Sequence, residues 1–425
     1  MSPDMIISLG LFLLIFVLIT FETINKAVLT LGGAVILLLL KFIPQEKAFA
    51  EIDWNVIFLL ISMMIIVGIT KQTGLFQYVA IKTAKLAKGN PVIILLGLSL
   101  VTAFFSAFLD NVTTVLIITP VTILLAVELG LSPVPFIIIE AIFSNIGGTA
   151  TLIGDPPNIM IGSAANITFM DFIIYQSPVI LVIIVVISIV NYLIFRKKLS
   201  VPNERRARIM DIDEKKAITD RKLLVKCSIV LTLTVVGFIL HGLLSLEPAT
   251  ISLSGAAALM LLTGKKEIDE FFHEVEWTTI FFFIGLFMLV GGLIETGVIK
   301  MLSEMIISAS GNDIKLTAMV ILWASGFISG IVDNIPFVAT MIPLLKNIGL
   351  SLGEDTIRPL WYALSLGACL GGNMTLIGAS ANVVSAGISG KSGYKISFLE
   401  FTKYGAIFTL ISLAICTGYI LLFLF

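Results

Sequence analysis

The stretch Asp110-Asn111-Val112-Thr113-Thr114 interrupts the apolar segment 91–127, and Asp333-Asn334-Ile335-Pro336 interrupts the apolar segment 315–345 in the same way. Both belong to a longer repeat. Glu51-Ile52-Asp53-Trp54 aligns with Glu274-Val275-Glu276-Trp277, Gly68 with Gly291, Thr73-Gly74 with Thr296-Gly297 and Pro120 with Pro343, all at one constant offset. After a one-residue adjustment, Gly147-Gly148 aligns with Gly371-Gly372, the run Thr151–Gly154 with Thr375–Gly378, and Asn158 with Asn382. Self-similarity at a fixed spacing marks a duplicated architecture. Residues 1–195 therefore read as a first repeat, 196–222 as a charged linker and 223–425 as a second repeat.

Lipid is the expected solvent for both repeats. Hydrophobic residues make up 58% of the 425 and charged residues 13%, with a mean hydropathy of +1.08, far above an ordinary soluble domain. Runs such as Met5–Phe21, Phe172–Phe195 and Tyr404–Phe425 approach the roughly 17–25 apolar residues that cross a bilayer as a helix. Only Asp4 precedes the first run as a charge and no small-residue cleavage site follows, so the run reads as a membrane helix and not as a secretory signal. The expected fold is an all-α polytopic membrane protein with about 10 crossings. Candidate spans in the first half are 6–21, 27–42, 54–70, 91–127, 133–165 and 172–195, with matching ones from 223 onward.

The breaks refine this plan. Each arm of 91–127 is short on either side of its polar stretch, which predicts a re-entrant hairpin that enters and leaves on one side; 315–345 repeats it. Segments 133–165 and 357–388 read as broken transmembrane helices. Irregular backbone at membrane depth is tolerated only where protein or a wet cavity satisfies its N–H and C=O groups, so the breaks are expected to point inward. With the hairpins not counted, each half crosses an odd number of times, which makes the two halves inverted repeats. The linker carries Arg196, Lys197, Lys198, Arg205, Arg206 and Arg208 among other cations, which places it in the cytoplasm and both termini outside it. Lys71, Lys82, Lys85 and Lys88, and the loop with Lys391, Lys395 and Lys403, then fall on the cytoplasmic side too. The cell membrane is the expected location.

Several classes of chemistry are set aside by the same reading. Cys227, Cys369 and Cys416 are isolated, and His241 and His273 are the only histidines, so neither a disulfide framework nor a zinc or haem site is suggested. No cofactor is expected. A net charge of −1 gives no case for nucleic acid, and no phosphate-binding loop is present to hold ATP. Uphill transport must draw on an ion gradient or on an ATPase carried by another chain. An intramembrane aspartyl protease would need a G-x-G-D signature that Leu152-Ile153-Gly154-Asp155 does not meet, so no enzyme is expected. A passive channel would need a continuous polar lining, whereas these breaks are local.

The chemistry concentrates at four stretches. The hairpin tips offer Asp110, Asn111, Thr113 and Thr114 in the first half and Asp333 and Asn334 in the second. The broken helices offer Asn145, Gly147, Gly148, Thr149 and Thr151, and Gly371, Gly372, Asn373 and Thr375. Glycine and proline unwind the helix, freed carbonyls can coordinate a cation, half-helix N-termini attract an anion or polar solute, and Thr and Asn complete a shell without charge. An intramembrane carboxylate is a functional-site hypothesis by default. Asp110 and Asp333 at equivalent tips are therefore read as holders of a coupling cation, with helix capping as the plainer and compatible role. Asp155 reads equally as a surface residue or a proton carrier, Glu140 equally as a proton carrier or a buried tether. Glu295 reads as interfacial and Cys369 as packing.

At these stretches the sequence resembles the ion transporter superfamily, and within it the group of arsenite permeases, NhaD-type sodium/proton antiporters and the P protein (pink-eyed dilution). The resemblance covers essentially the whole chain. Asp333–Pro343 and Gly367–Val383 are most similar to the P protein branch, and Gly148–Asn158 to that branch and to bacterial arsenite-type permeases. The resemblance implies a homodimer in which a scaffold domain carries a mobile transport domain, with tips and broken helices holding substrate and ion. Related dicarboxylate transporters read Ser-Asn-Thr at the tips; Asp110-Asn111-Val112 and Asp333-Asn334-Ile335 depart from that pattern and argue against a dicarboxylate. The expected function is secondary active transport of a small inorganic ion or oxyanion, of the arsenite or antimonite efflux type, driven by a proton or sodium gradient. A NhaD-type sodium/proton antiporter is the alternative.

Overall fold

The computed structural model describes residues 2–20, 24–264, 269–310, 313–354 and 356–425, with the side chains of 306–310 excepted. Among these residues every regular element is helical. Nine of the helices are long and apolar enough to cross a membrane, and a tenth span is reached if the pair Pro156–Ala165 and Phe169–Tyr175, bent by 110°, counts as one. The chain is thus an all-α polytopic membrane protein. Its first helix is Pro3–Thr20; Phe21, the last residue of the expected span, lies outside the described residues.

Both apolar segments are interrupted, but the breaks fall at 107–110 and 332–333, upstream of the expected stretches and sharing only the Asp with them. The first hairpin is Pro91–Ser106 followed by Asn111–Glu128, so Asn111–Thr114 belong to the second arm and not to the break. The second is Ile314–Ile331 followed by Asn334–Leu352. The Asp at each tip caps the helix after it and pulls the next residues into helical geometry. Arm length corrects the sequence reading: the second arm of the first hairpin has 18 residues, about 27 Å of helix, and is not short. The ends of 91–127 nonetheless lie together. Arg205 Nη1 donates to the carbonyl of Leu129 at 3.2 Å, beyond the second arm, and Arg206 backs onto Gly89, just ahead of the first. One linker helix, Asn203–Asp211, therefore touches both ends of the hairpin. Lys85 and Glu214 close the same face at 2.6 Å, and the bond from Lys85 holds the Glu214 carboxyl below its usual range.

Contacts between helices come in exchanged pairs. Trp54–Lys71 packs on Pro248–Thr263, and its counterpart Trp277–Glu295 packs on Lys26–Leu39. Asn111–Glu128 packs on Ser380–Lys391, and its counterpart Asn334–Leu352 packs on Pro156–Ala165. The exchange extends to single residues: Glu274 lies against Gly68, and Glu51 lies against Gly291. The repeated Thr-Gly turns adopt one geometry, with φ of +78° at Gly74 and +83° at Gly297, values that glycine reaches without strain. The closing helices of the two halves, Ser177–Phe195 and Phe398–Phe423, run antiparallel. Phe195 stacks on Tyr404 at 5.7 Å, while the Tyr419 hydroxyl, near the other end, donates to the Tyr175 carbonyl at 2.9 Å. The C-terminal Phe425 meets Lys315 at the end of this pair away from the linker.

Candidate functional site

The tips, the broken helices and the helix Lys26–Leu39 meet in the interior. At the first tip Asp110 accepts from the backbone N–H of Val112 at 3.3 Å and Thr113 at 2.9 Å and from the Thr113 hydroxyl at 2.8 Å. At the second tip Asp333 accepts from Ile335 N–H at 3.1 Å and from the Ser380 hydroxyl at 2.9 Å, with Lys26 Nζ at 3.6 Å. Capping accounts for the bonds to backbone. The charge of Asp333 is met by Lys26, a partner the sequence reading did not foresee.

Asn145 is the hub of the cluster. Its carbonyl oxygen accepts from Asn111 Nδ2 at 3.0 Å, and its amide donates to Asn373 Oδ1 at 2.8 Å and Asn382 Oδ1 at 3.0 Å. The first tip and both breaks are thereby linked through amides, which are donors and acceptors at once. Asn158 and Asn382, equivalent in the repeat, do the same local work. Asn158 Nδ2 donates to the carbonyls of Thr149 at 3.1 Å and Thr151 at 2.9 Å, and Asn382 Nδ2 to those of Gly372 at 2.9 Å and Thr375 at 3.0 Å. These four carbonyls of the breaks thus each accept at least one bond from a side chain. A buried amide removed from such a network leaves its partners unsatisfied, at about 1–3 kcal/mol each.

The hydroxyls of Thr114, Thr149, Thr151 and Thr375 donate to backbone carbonyls. Thr151 donates its hydroxyl to the Ala107 carbonyl and Thr375 to the Gly330 carbonyl at 2.6 Å, each tying a break to the tip of its own half. Thr114 donates to the Asp110 carbonyl at 3.0 Å, and Thr149 to the Asn145 carbonyl at 2.6 Å. The glycines explain themselves by close packing. A Cβ on Gly147 would strike the backbone of Ala103, and one on Gly371 would come within 2.5 Å of the Gly326 carbonyl oxygen. On Gly148 it would meet the Gly154 carbonyl at 2.5 Å, and on Gly372 the Gly378 carbonyl at 3.0 Å.

A cavity of about 640 Å³ lies between the tips. Asp110, Asn111, Asp155 and Asn334 line one side, and Lys26 and Glu276 are among the residues opposite. Asp155 stands directly before the half-helix Pro156–Ala165 and is only 1% exposed, so the surface placement is not what forms. Neither of its carboxylate oxygens, nor Asn334 Nδ2, makes a hydrogen bond of good geometry. Asp110 and Asp333 are within electrostatic reach of it, and Cys369 and Asn334 are side chains near it. Its counterpart in the second half is Ala379, so this acid breaks the two-fold pattern. Glu140 is buried elsewhere, with Thr122 donating to it at 2.6 Å, and does not line the cavity. Glu295 pairs with Lys47 at 2.7 Å on an exposed helix end, and Cys369 is buried.

Lys26, Ser380, Glu276, Asn158 and Asn382 complete the site without having been singled out as candidates. Asn158 and Asn382 could have been found, since the repeat itself pairs them. Lys26 sits at the start of an apolar helix and reads in sequence as an ordinary interfacial lysine.

The citrate transporter family (CitMHS) matches residues 16–367. An uncharacterized transporter of Mycobacterium tuberculosis is 44% identical over 420 residues, covering 98% of this chain and 97% of that protein. A 46 kDa membrane protein of Mycobacterium leprae is 44% identical, over 98% of each chain. The P protein of Sus scrofa is 34% identical over 96% of this chain and 58% of its own length.

Proposed function

Since the chain belongs to the citrate transporter (CitMHS) family and is a multi-pass membrane transporter, we propose that it is a secondary active transporter whose substrate and coupling ion bind in the central cavity. The observation that carries this reading is the pair of poorly satisfied groups there. Asp155 offers two acceptor oxygens and Asn334 an amide donor, buried side chains that stand near each other without a well-formed hydrogen bond, and groups of this kind are costly unless a ligand, ion or proton engages them. A small solute with hydroxyls that both donate and accept fits them, and arsenite, an uncharged trihydroxide in neutral water, is of that kind. The lining carries the carboxylates Asp110, Asp155 and Glu276 against the ammonium of Lys26, an excess of negative charge that disfavours a free polyanion such as citrate and favours a coupling cation or proton.

The transport domain in this reading comprises the two hairpins and broken helices, related as inverted repeats by the exchanged contacts and the antiparallel closing helices. Alternating access then moves the tips against the helices that carry Lys26 and Glu276. Purified protein in liposomes, assayed with arsenite, antimonite, sodium and citrate under imposed proton or sodium gradients, tests the proposal. Gradient-dependent movement of arsenite is expected. Sodium/proton exchange without any solute would favour the antiporter reading, and flux that dissipates gradients without coupling would overturn carrier transport altogether.

Orientation follows from the linker. A cysteine replacing the exposed Arg208 is expected to react with an impermeant thiol reagent only from the cytoplasm, and one replacing Ser2 only from the opposite side. Labelling of both from one side would refute the inverted arrangement.

A further inference from the structure

We propose that Lys26 is a tethered cation that occupies the carboxylate of Asp333 until an alkali cation takes its place. The proposal rests on the transporter reading above and adds the residue that decides when the second tip accepts a cation.

Lys26 is the first residue of the helix Lys26–Leu39, a position where the helix dipole disfavours positive charge. The corresponding helix of the second half, Pro248–Thr263, begins without a cation and follows Glu247 as its N-cap. What holds Lys26 in place lies across the cavity wall. Its Nζ donates to the Ser380 hydroxyl at 2.9 Å, Ser380 donates to Asp333 Oδ2 at 2.9 Å, and Nζ stands 3.6 Å from that same oxygen. The Phe282 ring lies 4.8 Å from Nζ on the other side, within range for a cation–π contact.

The helix behind Lys26 is firmly seated. Thr30 donates to the Phe282 carbonyl at 3.2 Å, and Gly33 lets Ile15 and Leu289 close on the backbone. Asp333 and Ser380, by contrast, belong to the second tip and to the half-helix after the second break. The ion pair therefore spans the two bodies that alternating access must separate. It also stands between two cavities, because Lys26 and Ser380 line both the central one and a neighbour of about 260 Å³, which Asp333 lines as well.

The contact is suited to exchange. The ammonium shares Asp333 with a hydroxyl, approaches one oxygen only, and keeps part of its surface open to the smaller cavity. A bare sodium ion bound to Asp333 Oδ2 and the Ser380 hydroxyl would take the same charge at shorter range, and the lysine would swing towards that cavity. Because only one of the two cations can neutralise Asp333, the ammonium acts as a competitor at high local concentration.

Sodium titrations of the full-length protein in liposomes test this, read by fluorescence of Trp277, which lines the cavity, and by the sodium dependence of flux. Lys26→Met is expected to lower the half-maximal sodium concentration at least about tenfold, whereas Lys26→Arg, which keeps the competing charge, should not lower it. Lys26→Gln is the second neutral variant, should the methionine form not fold. Adding Asp333→Asn to Lys26→Met should abolish the gain. A half-maximal concentration unchanged in the neutral variants overturns the proposal, as does the absence of any sodium response in wild type and variants alike. In either case, solute flux under a proton gradient decides the transporter reading separately.

Discussion

Asp155→Asn is expected to abolish gradient-driven transport, with initial rates falling at least about 100-fold, or about 2.7 kcal/mol, while the protein remains folded in the membrane. The asymmetry of effect follows from the well-formed hydrogen bonds that Asp155 lacks. Neither oxygen makes a well-formed hydrogen bond within the protein, so the amide disturbs only the approach of Cys369 and Asn334, and removing a buried charge relieves a desolvation cost. What the variant loses is the capacity to take up and release a proton or cation. Asp110→Asn is a less clean substitution. It also removes charge, but its new amide group would face N–H donors of Val112 and Thr113 that the carboxylate now accepts, so both transport and stability should fall. Asp333→Asn similarly loses charge and part of the Ser380 and Lys26 contacts. Initial-rate flux in liposomes beside thermal unfolding in detergent separates these outcomes. Wild-type rates and ion dependence in Asp155→Asn would remove the central cavity carboxylate from the mechanism.

Much of this arrangement was legible because it is repeated. Asp110 and Asp333, Asn158 and Asn382, and the paired glycines each announce themselves twice, and a duplicated chain places both copies of a motif in equivalent surroundings. The residues that were not legible are those without a counterpart. Lys26 has no charged equivalent and Ser380 corresponds to Pro156, so no comparison of the halves could bring them forward, whereas Asp155, which corresponds to Ala379, was read from its charge alone. Their meaning depends on a contact across hundreds of residues of chain, such as Lys26 with Asp333. Thr151 and Thr375 were legible as important but not in role: a hydroxyl near an unwound turn can face a ligand or bond a carbonyl of its neighbour, and only the fold shows that it does the latter. The arms of the first hairpin illustrate the remaining gap. Counting apolar residues cannot say where the two ends of a segment lie, whereas Arg205 and Arg206 of one helix mark both ends at once.

Gly147→Val and Gly371→Val are expected to cost the protein its fold at the tips, with loss of transport and a lowered unfolding temperature. Apolar solvent supplies no hydrophobic drive between membrane helices, so close approach of small residues is a main source of their association. Here the approach is backbone to backbone. Val134–Thr149 packs on Pro91–Ser106 and Arg358–Gly371 on Ile314–Ile331, with Gly147 against Ala103 and Gly371 against Gly326. A flexible side chain could yield to a new Cβ, but a helix backbone can yield only by separating from its neighbour, which also strains the staples of Thr151 and Thr375 and the asparagine network. Overpacking a well-packed interior ordinarily costs about 1–3 kcal/mol, and two β-branched methyls against fixed backbone belong at or above the upper end. Even alanine should be felt at both positions. Gly387→Ala is the control, because nothing lies within 4 Å of a Cβ there, and alanine in a helix is favoured over glycine by about 1 kcal/mol. Unfolding midpoints measured in detergent should therefore fall for the Gly147 and Gly371 variants and hold or rise for Gly387→Ala. Equal midpoints across the set would show that the first arm of each hairpin and the helix before the break beside it are held together by something other than these contacts.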